Sequence, residues 1–133
     1  NGLLKQYLQD YEEVYDYRNI EVTIDEQDIF NVTINESLAV ALLTNLLKNA
    51  FVHNIDGGHI RITVTKNSIT FRNSGVKNPL DKEHIFERFY QGTKKEGSTG
   101  LGLAIADSIC RLQHLSIRYY FEQKEHCFEI SRQ

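Results

Sequence analysis

Two cysteines, one proline and no long apolar run set the first limits on this 133-residue chain. Cys110 and Cys127 do not form a CxxC pair, so they read as two buried or half-buried thiols in a reducing compartment. The histidines at 53, 59, 84, 114 and 126 include no HxxxH pair, and no structural metal site is expected. No apolar stretch approaches the roughly 18 residues that span a bilayer. The opening "NGLLKQYLQDYEE" has no basic region followed by an apolar run, so this stretch is not expected to be a signal peptide. A net charge of −3 lacks the positive excess that a nucleic-acid groove uses, so no nucleic-acid partner is expected. Internal repeats and low-complexity tracts are absent as well.

What is present is a globular balance, 41% hydrophobic and 25% charged, in a length that suits one core. Leu3, Leu4, Leu8 and Tyr11 fall near helical spacing, so residues 1–18 read as a helix continuing from something longer. The chain is expected to be a domain of a larger protein. "IEVTI" (20–24) and "IFNVTI" (29–34) alternate apolar and polar residues and read as two strands around an acidic turn. Asn35 is placed to cap a helix over about 36–53 that stops before Asp56-Gly57-Gly58. "HIRITVT" and "SITFRN" form a hairpin with one buried face. After an irregular segment and a helix from Gly100, "LSIRYYFE" and "CFEIS" form a second hairpin. This order predicts an α+β, two-layer sandwich: a mixed, mostly antiparallel sheet of about five strands with about three helices on one face.

Three stretches carry chemistry. In "LLTNLLKNAFVHN" (42–54), Leu43, Leu46, Leu47 and Ala50 share one side of the helix. Asn45 and Asn49 lie roughly 40° apart on the opposite flank, and His53 continues their line. Asparagine competes with the backbone for hydrogen bonds and disfavours a helix interior. A solvated strip explains these amides if the helix stands alone; their carbonyl oxygens also suit a hard cation such as Mg²⁺. In "EGSTGLGLAIADSI", Gly97, Gly100 and Gly102 precede a helix start, with Thr99 as a candidate N-cap, where free N–H groups face an anion. A flexible loop before a helix is the plainer reading. No Lys follows the last Gly, and no strand precedes it directly, so neither a Walker loop nor a Rossmann turn fits. In "ITFRNSG", Asn73-Ser74-Gly75 puts an amide and a flexible backbone at a strand end, as an ordinary strand-terminating turn also would.

Taken in order, "NLLKNAFVHN", "FRNSG", "IFERFYQG" and "GSTGLGLAIADSI" resemble the N, G1, F and G2 boxes of sensor histidine kinases, within the superfamily that includes gyrase, the Hsp90 chaperones and the MutL proteins. The resemblance covers about residues 20–132. It implies the Bergerat ATP-binding fold, with ATP and Mg²⁺ as cofactors. It also implies that Asn45 and Asn49 face the phosphates, with Asn49 a Mg²⁺ ligand, and that His53 flanks the nucleotide. Asn73 stands where the family holds an Asp that accepts from the adenine amine, and Gly75 lets adenine approach the backbone. Residues 92–99 would be the ATP lid, with Phe86 and Phe89 at its base. Gly100, Leu101, Gly102 and Leu103 would bring a helix N-terminus to the phosphates, with Thr99 and Lys94 contributing. Four positions depart from the family pattern: Asn73 for Asp, Lys77 and Ser98 for Gly, and Val52 where many relatives carry Lys or Arg, a loss that Lys94 and Lys95 could offset.

The implied function is the catalytic domain of a two-component sensor kinase. It would pass the γ-phosphoryl group of ATP to a His on a separate helical dimerisation domain of the same protein, with a response regulator downstream. None of the five histidines sits in an H-[ED]-x-x-x-P acceptor setting. Residues 1–18 would then be a linker helix and 19–133 the ATP-binding domain. The parent would lie in the bacterial inner membrane, with this domain cytoplasmic. Two alternatives are a GHKL-type ATPase, disfavoured because Asn45 occupies the place of the water-activating Glu, and a nucleotide-free interaction module.

Overall fold

A parallel strand pair governs the topology of the chain, seen in a computed structural model that describes residues 2–14, 16–30, 33–75, 86 and 102–132. Strand β1 (Glu21–Glu26) pairs in parallel with β2 (His59–Val64), from Glu21 opposite His59 to Glu26 opposite Val64. Parallel neighbours need a crossover rather than a tight turn. The crossover is helix α2 (Glu36–Val52). The expected strand at 29–34 is therefore corrected. The Gln27 and Asp28 N–H groups donate to the Val64 carbonyl at 2.9 and 3.3 Å, which closes β1. Beyond them Ile29, Phe30, Thr33 and Ile34 belong to no strand, while 31 and 32 lie outside the described residues. Alternation there marks only which side chains turn inward: Phe30 is buried, with the Arg132 guanidinium over its ring, and Ile29 is exposed.

The remaining pairings are antiparallel. β3 (Ser68–Asn73) joins β2 and β5 (Glu125–Arg132), and β4 (Leu115–Glu122) closes the edge, giving the order β1-β2-β3-β5-β4. Gln123 and Lys124, at φ 52° and 64°, form the two-residue turn whose twist suits a hairpin. Helices α1 (Gly2–Val14) and α3 (Gly102–Leu112) flank α2, and a short 3-10 turn over Asp16–Arg18 interrupts what the sequence suggests as one helix to residue 18. The five-stranded α+β sandwich expected from the sequence is thus present. No helix among the described residues is long and apolar enough to cross a membrane.

Period-two alternation sends Ile60, Ile62 and Val64 of β2, Phe71 of β3, and Phe128 and Ile130 of β5 into the layer between sheet and helices. There they meet Leu46, Leu47 and Phe51 of α2 and Leu4 and Leu8 of α1. The other sheet face is ionic. Arg61 and Arg72 stand directly opposite each other, a repulsive pairing, and Glu125 accepts from Arg61 at 2.9 Å and contacts His59 at 2.7 Å. Cys110 and Cys127 are both free and buried. Burial pushes the Cys110 thiol up to about 12. It lifts Cys127 to about 11, against the opposing pull of nearby Arg72. Neither is a thiolate at neutral pH, which makes them packing residues rather than nucleophiles.

Candidate functional site

Helix α2 begins where the Asn35 side-chain oxygen accepts from the N–H groups of Ser37 and Leu38 at 2.8 and 3.3 Å. These bonds satisfy two of the four free donors of the first turn. The apolar face of the helix is buried, and Asn45 and Asn49 lie half-buried on its flank. The Asn45 Nδ2 donates to the Ala41 carbonyl at 2.7 Å, which orients the amide. A Cβ added to Gly102 would lie only 3.0 Å from the Asn45 Oδ1. Glycine at that position lets the first turn of α3 come against the Asn45 amide. One turn further along α2, the Asn49 side chain makes no hydrogen bond among the described residues, while its carbonyl accepts from the His53 N–H at 3.1 Å.

The C-terminus of α2 is tied to the end of β3 by a fully buried amide. Asn54 donates from Nδ2 to the His59 carbonyl at 3.0 Å, and its Oδ1 accepts from the Ile55 N–H at 2.9 Å and from the Ser74 hydroxyl. The Ser74 Oγ in turn accepts from the His59 N–H at 2.8 Å. Two glycines make room for this knot. A Cβ at Gly58 would fall 2.3 Å from both the Asn54 Oδ1 and the Ser74 Oγ. At Gly75 it would fall 2.9 Å from the His53 carbonyl oxygen and 3.2 Å from the His126 ring. Gly75 is therefore a place where only bare backbone fits beneath the helix cap.

Next to it sits an unsatisfied acceptor. Asn73 is 2% exposed, and its Nδ2 donates to the Ser74 carbonyl at 2.8 Å. A carbonyl can only accept, so this bond fixes which end of the amide is nitrogen. The Asn73 Oδ1 is then left buried without a hydrogen-bond partner among the described residues. Such an atom costs about 1–3 kcal/mol, so its retention calls for a donor from elsewhere. His126 is the cross-strand neighbour of Asn73. The His126 ring is buried, held by a 2.7 Å contact between Nδ1 and the Tyr119 hydroxyl, and packed by Tyr119 and Phe121.

Of the residues singled out from sequence, the fold thus joins Asn45 to Gly102, aligns Asn49 and His53 along α2, and brings Asn73 and Gly75 under the same helix end. Leu103 packs its side chain against the core, leaving only its backbone to offer a ligand. Phe86 packs edge-on against Phe128 at 6.2 Å between centroids. Lys94, Thr99, Gly100 and Leu101 lie outside the described residues, as does Phe89. Sequence reasoning missed Asn54, Gly58 and His126 as parts of the site. For His126 a signal existed: a polar residue at an inward position of a strand otherwise apolar on that face.

A two-layer fold with a buried acceptor beside a bare backbone, and a helix N-terminus against an amide strip, defines a small-ligand site between α2 and the end of the central strand β3. Residues 34–131 match the family described as histidine kinase-, DNA gyrase B- and HSP90-like ATPases, and the chain belongs to that family of ATP-binding domains. Its relatives include the heme sensor protein HssS of Staphylococcus aureus (strain Newman), 34% identical over 124 residues that cover 90% of this chain and 27% of HssS. Another is the sensor histidine kinase RppB of Synechocystis sp., 43% identical over 84 residues, 56% of this chain and 18% of RppB. The chain spans about a quarter of the length of HssS. Among solved structures, the catalytic domain of histidine kinase ThkA matches with a TM-score of 0.83 and 25% identity over 98% of this chain and 89% of that one. The chain is an ATP-binding catalytic domain of the histidine-kinase type.

Proposed function

We propose that the chain holds Mg-ATP between the Asn45–Asn49 flank of α2, the N-terminus of α3 and the Asn73–Gly75 strand end, and that it serves protein-histidine phosphorylation. The buried, unpartnered Asn73 Oδ1 carries this reading. An adenine amine is a donor that would satisfy it, next to the bare Gly75 backbone that the His53 carbonyl and the His126 ring crowd. The α3 N-terminus supplies N–H groups and the positive end of a helix dipole toward phosphate oxygens. Asn49 offers a neutral amide oxygen, a ligand type that Mg²⁺ accepts beside phosphate and water, and the metal would offset charge on the transferring group. Lys94, Thr99, Gly100 and Leu101 complete the phosphate side in this proposal, and His53 flanks the nucleotide.

The γ-phosphoryl group would pass to a His on a helical dimerisation domain of the same protein, placed upstream of α1, with residues 1–18 as the linker. The contribution of this domain is then positioning and charge neutralisation rather than covalent chemistry. ThkA is known in complex with the response regulator TrrA, and a response regulator is the downstream partner proposed here. The parent protein is proposed to sit in the bacterial inner membrane, with this domain on the cytoplasmic side.

The experiment is a titration with Mg-ATP. At about 100 times the dissociation constant, binding adds about 2.7 kcal/mol to the stability of the fold, and the melting temperature rises accordingly. An unchanged melting temperature at millimolar Mg-ATP would instead favour a nucleotide-free interaction module. Asn73→Asp sharpens the test. The carboxylate keeps the acceptor and makes the bond to the amine charge-assisted, so ATP affinity is expected to hold or to rise by about 1–2 kcal/mol. GTP carries a carbonyl in place of the amine, and Asp should repel it. Weaker ATP binding without sharper discrimination against GTP would remove Asn73 as the base reader.

A further inference from the structure

We propose that Arg18 is a positioning residue for the base-binding end of the site, an inference that rests on the placing of adenine at Asn73 and Gly75. Helix α2 has no basic residue in its own last turn. Its terminal carbonyls still require donors, and the helix dipole favours a cation there. Arg18 supplies both from outside the helix. Its Nη1 donates to the Phe51 carbonyl and, at 3.4 Å, to that of Val52, while Nη2 donates to the Asn54 carbonyl at 2.6 Å. The Nε donates to Asp56 at 2.8 Å, and the Arg18 carbonyl accepts from the Gly57 N–H at 2.8 Å. The Arg18 side chain is only 11% exposed, against 80% for Asp56, so the carbonyl contacts dominate.

The backbone it holds from Phe51 to Asn54 runs past the site. Between the Val52 and Asn54 carbonyls lies His53, whose own carbonyl roofs Gly75. The Asn54 side chain receives the Ser74 hydroxyl, and the Ser74 carbonyl receives the Asn73 Nδ2, which leaves the buried Asn73 oxygen as the acceptor. Arg18 ends the 3-10 turn that comes after α1, so the arriving chain and the base reader are joined through two buried amides. Loosening Arg18 frees the Asn54–Ser74 pair, and the Asn73 amide then loses the bond that keeps it from rotating.

The test compares Mg-ATP, Mg-GTP and Mg-tripolyphosphate binding to the chain and its variants by calorimetry. Tripolyphosphate engages only the phosphate side. For Arg18→Ala, the dissociation constant of ATP is expected to rise about tenfold, that of tripolyphosphate to stay within about twofold, and the preference for ATP over GTP to narrow about tenfold. Arg18→Lys, which keeps the cation without the fork, should fall between, and Asp56→Ala should stay within about twofold of the parent chain. Equal losses for ATP and tripolyphosphate, or no loss for either, would overturn the inference. If Arg18→Ala fails to fold, the same ratio in Arg18→Lys decides. If the unaltered chain does not bind ATP, the nucleotide reading itself fails; if it binds and the ratios stay fixed, only the role of Arg18 fails.

Discussion

Asn49→Ala is expected to lower phosphotransfer by the full-length protein at least about 100-fold, the order of effect when a metal loses its grip on a transferring phosphoryl group. The fold should be indifferent. Asn49 is half-buried on the flank of α2, its side chain has no hydrogen-bond partner among the described residues, and the apolar face of the helix is untouched. Alanine is the better helix former by up to about 0.7 kcal/mol, so thermal stability should hold or rise slightly. A second readout separates metal loss from general damage: magnesium should strengthen ATP binding by the unaltered chain and leave binding by the variant unchanged. Normal activity, or an intact magnesium effect on affinity, would mean that the metal is held elsewhere. Asn45→Ala is the informative companion. Its Nδ2 is committed to the Ala41 carbonyl and its oxygen lies against Gly102, so that change acts on the packing of α3 against α2 as well as on any ligand.

What could be read in the sequence follows from which contacts are local. Helix α2 was legible because its apolar positions repeat at helical spacing and Asn35 caps it; the observed cap donates nothing and accepts two N–H groups, as that residue type allows. The two hairpins were legible because strand, turn and strand are contiguous. The parallel pairing of β1 with β2 was not, since nothing local in "IEVTI" says whether its partner is the next apolar run or one beyond a helix. The same limit applies to the site. Asn45 and Asn49 share one helix, so their common flank could be computed from spacing alone. Arg18, Asn54 and Ser74 meet only through the fold, as do Asn73 and His126, which are neighbours by the register of β3 on β5. The family resemblance supplied the role proposed for Asn73; the unsatisfied oxygen that supports it is a tertiary fact.

Phe51→Ala is expected to cost about 3–5 kcal/mol, against the 5–15 kcal/mol of total stability typical of a domain. Phe51 is 1% exposed in the core, and its ring stacks on Tyr11 of α1 at 6.2 Å between centroids. Truncation leaves a cavity where α1 meets the last turn of α2, and neither helix can close on it freely. Leu4 and Leu8 already fix α1 against the core, and Arg18 and the Asn54 N–H both hold the Phe51 carbonyl. A rigid surround makes a cavity expensive, so the upper half of the range is the expectation. The melting temperature should drop by about 10 °C or more. Phe51→Leu, which retains most of the buried volume, should recover more than half of that loss. Because ligand binding adds to folding free energy, saturating Mg-ATP should raise the melting temperature of Phe51→Ala by a margin similar to that of the parent chain, provided the nucleotide site itself survives. A loss below about 1 kcal/mol in denaturant titration would mean that α1 docks only loosely on α2. The junction between α1 and the rest of the domain would then be a hinge rather than a packed joint, and a displacement of α1 would not reach the α2 terminus as a rigid movement.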